Sequence, residues 1–135
     1  GSVLSIPCLD NTFDLVAAFQ VLEHLPYEDF SKALREIYRV TRRYAVLSLP
    51  DCTRAYRVEI QIPKIGDFRL LIPLPRLRSP THRFDGQHYW EIGKAGYPLW
   101  RVLEDIRRSG FCVVKCYRVF EMPYHRFFVL LKKHE

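Results

Sequence analysis

"FDLVAAFQVLEHLPYEDFSKALREIYRVTRRYAVLSL", Phe13 to Leu49, changes its hydrophobic period twice, and those changes decide the fold. Phe13 to Phe19 is a nearly continuous apolar run behind the polar break Asp10, Asn11 and Thr12. A strand covered on both faces has this pattern; a buried helix segment shares it, and the short length and the Asp-Asn turn select strand. From Glu28 to Arg42, Phe30, Ala33, Leu34, Ile37 and Val40 fall on one stripe, with Lys32, Arg35, Glu36 and Arg39 on the opposite face of an amphipathic helix. Pro26 stands at its entrance, Glu28 and Asp29 complement its N-terminus, and Arg42 and Arg43 its end. Tyr44 to Leu49 is a second apolar run, stopped by Pro50. Strand, helix and strand in this order predict a parallel βαβ unit with a right-handed crossover.

Downstream the grammar is different. "YRVEIQI", Tyr56 to Ile62, alternates, and "FRLLIPLP" follows a turn at "PKIGD", so the pair reads as an exposed hairpin. Pro63 and Pro73 argue against a central strand. Pro75 and Pro80 lie in a basic loop, and a polar stretch from Thr81 to Gln87 leads to "HYWEIG"; the region from about residue 54 to 88 reads as an insertion with little regular structure. Pro98 opens a second helix in which Leu99, Val102, Leu103 and Ile106 share a face, with Gly110 past its end. "FCVVKCYRVF" and "YHRFFVLLKK" are separated only by "EMPY", too short for anything but antiparallel pairing.

With 135 residues the chain holds one core, assigned to a single domain over residues 3–135, and Gly1-Ser2 reads as a tag remnant. A hydrophobic share of 48% against 27% charged residues excludes a disordered chain. No charged segment precedes an apolar one at the N-terminus, and no run approaches the roughly eighteen apolar residues of a membrane span, so the expectation is a soluble, cytoplasmic protein with no membrane partner. Cys8, Cys52, Cys112 and Cys116 match no zinc-ribbon or CxxC spacing and read as reduced structural cysteines. The net charge of +6 would steer the chain toward anionic partners without specifying one.

Candidate chemistry gathers at two strand ends. Gln20, Glu23 and His24 follow the first parallel strand, and Ser48, Pro50, Asp51 and Cys52 follow the next, where open α/β sheets bind ligands. His24 reads as a base, an orienting group, or a partner for a backbone carbonyl. Glu23 reads as a charge at the helix N-terminus, not as a catalyst. Asp51 is a substrate contact or a turn former. His82, His88, His125 and His134 are spread along the chain without evident acidic partners, so no metal site is expected. His88, ahead of a helix that should pack beside the crevice, is kept as a substrate residue; His125 reads as structural. Seven basic residues between Arg54 and Arg83, interleaved with Tyr56 and Phe68, suit phosphate or bases as well as they suit a solvated hairpin face.

"IPCLDNTFDLVAAFQVLEHLP", "LREIYRV", "YAVLSLP", "HYWEI…RVLEDIRRSGF" and "YHRFFVLLKK" together resemble the C-terminal half of a class I S-adenosylmethionine-dependent methyltransferase, of the small-molecule type that includes the ubiquinone-pathway enzymes. The first stretch is similar to that family's "LPF-x-D-x-SFD…LEH" pattern. The resemblance implies an α/β, partial Rossmann-like sheet with parallel strands, a closing antiparallel pair, and no N-terminal glycine-rich half. It places the adenine of S-adenosylmethionine along Ser2, Val3 and Leu4, with Ser2 where the family has an acidic residue. Its methionine part falls along Phe19 and Gln20, and the transfer site lies near His24. The hairpin bearing Tyr56 resembles the variable lid that selects a small-molecule acceptor.

None of the six glycines forms the family's glycine-rich cluster, so half of the cofactor site is expected to lie outside these residues. Without the strand that carries it, Phe13–Phe19 becomes an open apolar edge, and pairing with a second copy is expected. The resulting reading is methyl transfer by an intact parent protein, this chain being inactive alone. The alternative is a non-catalytic subunit that offers its basic hairpin to an RNA or protein partner.

Overall fold

The computed structural model describes residues 1–74 and 76–134. Pro75, read above as part of the basic loop, lies outside the described residues.

The βαβ unit forms from β1 (Phe13–Phe19), α1 (Tyr27–Val40) and β2 (Thr41–Pro50), with a single 3-10 turn, Leu22–His24, between β1 and the helix. β1 and β2 are parallel, Ala17 lying opposite Val46. The hairpin follows as β3 (Ala55–Ile62) and β4 (Gly66–Pro73), then α2 (Leu99–Arg108), β5 (Phe111–Arg118) and β6 (His125–Lys132). Strand order in the main sheet is β1-β2-β6-β5, with β6 antiparallel to both neighbours. This is the partial Rossmann-like sheet with a closing antiparallel pair that the sequence predicts. The hairpin is a separate two-stranded sheet.

The first helix stops earlier than its charges suggest. Arg42 and Arg43 belong to β2, and Arg39 is the basic residue of the last turn of α1. Thr41 is extended, with its Oγ1 donating 2.6 Å to the Ile37 carbonyl and closing the helix end. Gly110 closes α2 at φ 108, where the left-handed region favours glycine and a Cβ would stand 2.8 Å from the Tyr38 ring.

The core lies on one face of the sheet. Ala45, Leu47 and Leu49 of β2 and Phe128 and Leu130 of β6 pack against Phe30, Leu34 and Ile37 of α1 and Val102 and Ile106 of α2. The alternate residues Tyr44, Val46, Phe127 and Val129 are only half-buried. The expectation that β1 is covered on both faces is therefore corrected. β1 is an edge strand with Phe13, Leu15 and Phe19 exposed, because α1 and α2 share the other face of the sheet.

The stretch after the hairpin is irregular, yet its second half is firmly packed. Trp90 is fully buried among Tyr27, Phe30 and Tyr97, with ring centroids 4.8, 5.0 and 5.9 Å away. Ile92 N–H donates to the Pro50 carbonyl at 3.0 Å, and Cys52 N–H to the Ile92 carbonyl at 2.9 Å, so the segment runs on beside the end of β2. Among the described residues, no helix is long and apolar enough to cross a membrane.

Candidate active site

The carboxyl ends of β1 and β2 are tied together first. Gln20 adopts φ 52, and its N–H reaches the Ser48 carbonyl at 3.2 Å and Ser48 Oγ at 3.1 Å. Its Nε2 also donates to Ser48 Oγ, at 3.2 Å. Gln20 therefore fixes the strand end and sends the chain into the 3-10 turn.

That turn has opposite faces. Leu22 and Glu23 are wholly buried, while His24 is exposed. Glu23 is thus not the solvent-facing helix charge that its position suggests. Both its carboxylate oxygens are buried without a hydrogen-bond partner among the described residues, and burial raises its pKa, opposed by its own backbone amide and by His24, His88 and His125. The loop ahead of α2 is pinned over the turn, Tyr89 N–H donating to the Glu23 carbonyl at 2.9 Å and Gln87 O lying 2.9 Å from His24 Nδ1.

That packing brings the second histidine into place. The His24 and His88 rings meet edge to face with centroids 5.1 Å apart. His88 Nε2 lies 4.0 Å from Glu23 Oε1, and its Nδ1 lies 3.2 Å from Glu91 Oε1. Tyr124 Oη donates to the same Glu91 oxygen at 2.7 Å, and burial followed by that hydrogen bond pushes the Tyr124 phenol upward. Asp85 Oδ1 accepts the N–H groups of Gln87 and His88 at 2.9 and 2.7 Å, which hold its own pKa down. His82 Nε2, 2.7 Å from the His88 carbonyl, steadies the backbone from the other side.

The histidines are therefore not without acidic partners, as their spread along the chain suggests. Folding gives His88 two carboxylates, Glu23 and Glu91. Glu91 and Tyr124 join the site without having stood out in the sequence, where the one signal is "HYWE", which places Glu91 three residues after His88. Nothing local marks Tyr124.

The remaining candidates separate. Asp51 is 1% exposed and its carboxylate is spent on Arg126 Nε at 2.7 Å and Thr53 N–H at 2.9 Å, so it anchors the base of the hairpin and does not face a ligand. Tyr56 is 62% exposed on β3, with no hydrogen bond or ring contact to the histidine pair among the described residues. His125 lies in β6, opposite Pro50 of β2. Arg57 and Arg69 turn toward Glu121, at 3.1 Å to its carbonyl and 2.9 Å to its carboxylate, which withdraws two guanidiniums from the basic platform. The hairpin instead presents Ile60, Ile65, Phe68 and Leu70 to solvent.

Ser2 and Val3 line a groove of about 300 Å³ whose other walls include Ile6 and Pro7, Val16 to Ala18 of β1, and Ile37 of α1. Leu4 is not in its wall, but its N–H donates 3.2 Å to Ser2 Oγ and shapes the turn there. Phe19, 54% exposed, packs on Phe127 at 5.7 Å. The groove runs along β1 and reaches Val21, just past Gln20 and three residues before His24.

The sequence pattern described as a methyltransferase domain matches residues 1–49, which contain the whole βαβ unit short of Pro50. No curated protein matches the chain significantly. Among solved structures, an S-adenosylmethionine-dependent methyltransferase from Mesorhizobium loti is similar at TM-score 0.59 and 14% identity over 97% of this chain and 67% of its own. The 1,6-didemethyltoxoflavin-N1-methyltransferase of Burkholderia thailandensis, with bound 1,6-didemethyltoxoflavin and S-adenosylhomocysteine, gives TM-score 0.57 and 12% identity over 98% of this chain and 48% of its own. The [4+2]-cyclase SpnF is similar at TM-score 0.58 and 16% identity, over 100% of this chain and 55% of its own. The chain thus spans between 48% and 67% of the length of these structures. The chain therefore shares its fold with these methyltransferase structures over part of their length, in line with the resemblance to class I methyltransferases in its sequence. The presence of a cyclase among the similar structures separates fold from chemistry.

Proposed function

We propose that this chain is the acceptor-side portion of an S-adenosylmethionine-dependent methyltransferase acting on a small molecule, and that it is inactive without the residues that complete the cofactor site. The observation that carries the reading is the cluster of Glu23, His24 and His88 just beyond the carboxyl ends of β1 and β2, with Glu23 and His24 inside the stretch that matches a methyltransferase domain. That is where α/β sheets of this kind hold their ligands.

The apolar groove beside β1 fits the adenine end of the cofactor, with Ser2, Val3 and Val16 to Ala18 as its walls. Gln20 and Phe19 would lie along the methionine end. When bound, S-adenosylmethionine supplies a methyl group already activated on a sulfonium. The protein's work is therefore placement and proton handling.

An acceptor hydroxyl or amine must lose a proton as it gains the methyl group, and His24 is the group to receive it. Its Nδ1 is directed at the Gln87 carbonyl, which only accepts, so Nδ1 carries hydrogen and Nε2 has the free lone pair. Its exposure leaves that lone pair open to an acceptor. His88, oriented by Glu91, forms the second wall of the acceptor space.

The test is a calorimetric titration of S-adenosylmethionine into this chain and into the same chain extended upstream by a glycine-rich strand and turn. Saturable binding is expected only with the extended chain, at micromolar concentration. An extended, folded chain that takes up no cofactor overturns the reading.

A further inference from the structure

We propose that Glu23, His24 and His88 form a binding site for one divalent first-row transition-metal ion such as Zn²⁺. One ligand atom from each residue lies within 4.8 Å of the others. The decisive feature is Glu23. A carboxylate that is 0% exposed and has neither oxygen hydrogen-bonded among the described residues is costly unless a cation or a proton compensates it, and here Oε1 lies 4.0 Å from His88 Nε2, with a His24 ring nitrogen in the same cluster.

The imidazoles are prepared as ligands in the same way. His24 Nδ1 is held at 2.9 Å by a backbone carbonyl, and His88 Nδ1 at 3.2 Å by the Glu91 carboxylate. Each arrangement puts the ring hydrogen on Nδ1 and leaves a lone pair on Nε2, the tautomer and orientation that a histidine ligand takes from its outer partner. Tyr124 in turn fixes Glu91, at 2.7 Å. His88 Nε2 and Glu23 Oε1 are 4.0 Å apart, whereas two ligand atoms about 2.0–2.1 Å from a tetrahedral ion stand roughly 3.4 Å apart. Closing that gap needs side-chain movement of under an ångström.

Two imidazoles and one carboxylate suit Zn²⁺, Fe²⁺ or Co²⁺ better than Mg²⁺ or Ca²⁺, which prefer all-oxygen shells. With three protein ligands the ion retains open positions, available to water or to an oxygen of the acceptor. A bound ion also occupies the His24 lone pair, so His24 would not act as a base while the metal is present. The proposal does not depend on methyl transfer, and its test requires no cofactor.

The experiment is titration of ZnCl₂ into the chain by calorimetry, with Co²⁺ absorption as the reporter of ligand type. One ion per chain is expected. Its Co²⁺ complex should show visible d–d bands without the near-ultraviolet thiolate band that Cys8, Cys52, Cys112 or Cys116 would produce. Glu23→Gln and His88→Ala should each weaken binding at least a hundred-fold, and Glu91→Gln about ten- to a hundred-fold through the outer partner. His134→Asn should leave it unchanged. Should Glu23→Gln fail to fold, His88→Ala and His24→Ala decide the question, with circular dichroism as the check on folding. No binding at millimolar Zn²⁺, a thiolate spectrum, or affinity untouched in the folded histidine variants overturns the proposal.

Discussion

Arg126 Nε donates a 2.7 Å hydrogen bond to Asp51 Oδ2, on a carboxylate whose side chain is 1% exposed. The same oxygen lies 3.9 Å from Arg118 Nε, whose pKa burial pushes down and Asp51 draws up. One buried acid therefore holds two strands' guanidiniums at the point where the hairpin leaves the sheet. Asp51→Asn leaves both cations without a counter-charge, and removing one partner of a buried pair costs about 3–5 kcal/mol. The expected outcome is a fall in Tm of roughly 10 °C or more by calorimetry. A fall of only a degree or two would show that water already screens the pair.

Glu23 gives the fold a pH dependence. Its pKa is raised above 4.5 by burial, so between the unfolded and folded values the native state binds more protons than the unfolded one. Stability associated with Glu23 is thus greatest at low pH, declines as pH rises through the folded value, and is level above it. Glu23→Gln removes that slope. Urea unfolding of the two proteins across pH 4 to about 8 should give curves that diverge with rising pH, the variant being the more stable at the upper end by about 1 kcal/mol. Parallel curves would place a cation on Glu23 already.

Arg39 and Glu36 of α1 clamp the N-terminal segment. Glu36 Oε2 accepts the Ile6 N–H at 2.9 Å, and Arg39 donates 2.8 Å bonds to the carbonyls of Ile6 and Cys8. Hydrogen bonding to Arg39, then to Ile6, holds the Glu36 carboxyl down at about 2. The clamp's contribution is fully present above the unfolded value near 4.5 and is lost as pH falls through about 2. Arg39→Ala should abolish hydrogen-exchange protection at Ile6 while that of β2 and β6 persists. Retained protection at Ile6 would mean that the segment is held by its own turns.

β1 should pair with a second copy. Its outer edge has no partner strand among the described residues, and Leu15, 58% exposed, stands in its middle. A dimer at tens of micromolar by light scattering is expected, converted to monomer by Leu15→Lys. A monomeric parent chain sinks this reading.

The sequence by itself determined the elements and most of their order. In Phe13–Phe19 and Tyr44–Leu49 the run length is a strand's, and in α1 the 3.6-residue stripe leaves no other face to bury. The "EMPY" connection forced the antiparallel ending because so short a link reaches nothing else. Charge was a weaker guide, since Arg42 and Arg43 serve a strand as readily as a helix end. Only the tertiary structure decided what is buried and what meets. An apolar run reads as covered on both sides, yet β1 is open because both helices chose the same face. Glu23 and His24, neighbours in sequence, point into and out of the core because a 3-10 turn separates adjacent side chains. His88 and Glu91 reach them only through Trp90, whose burial anchors an otherwise irregular loop, and Tyr124 arrives from the turn before β6. Such a site has no local period to betray it: it exists where distant segments are forced together by the burial of residues that take no part in its chemistry.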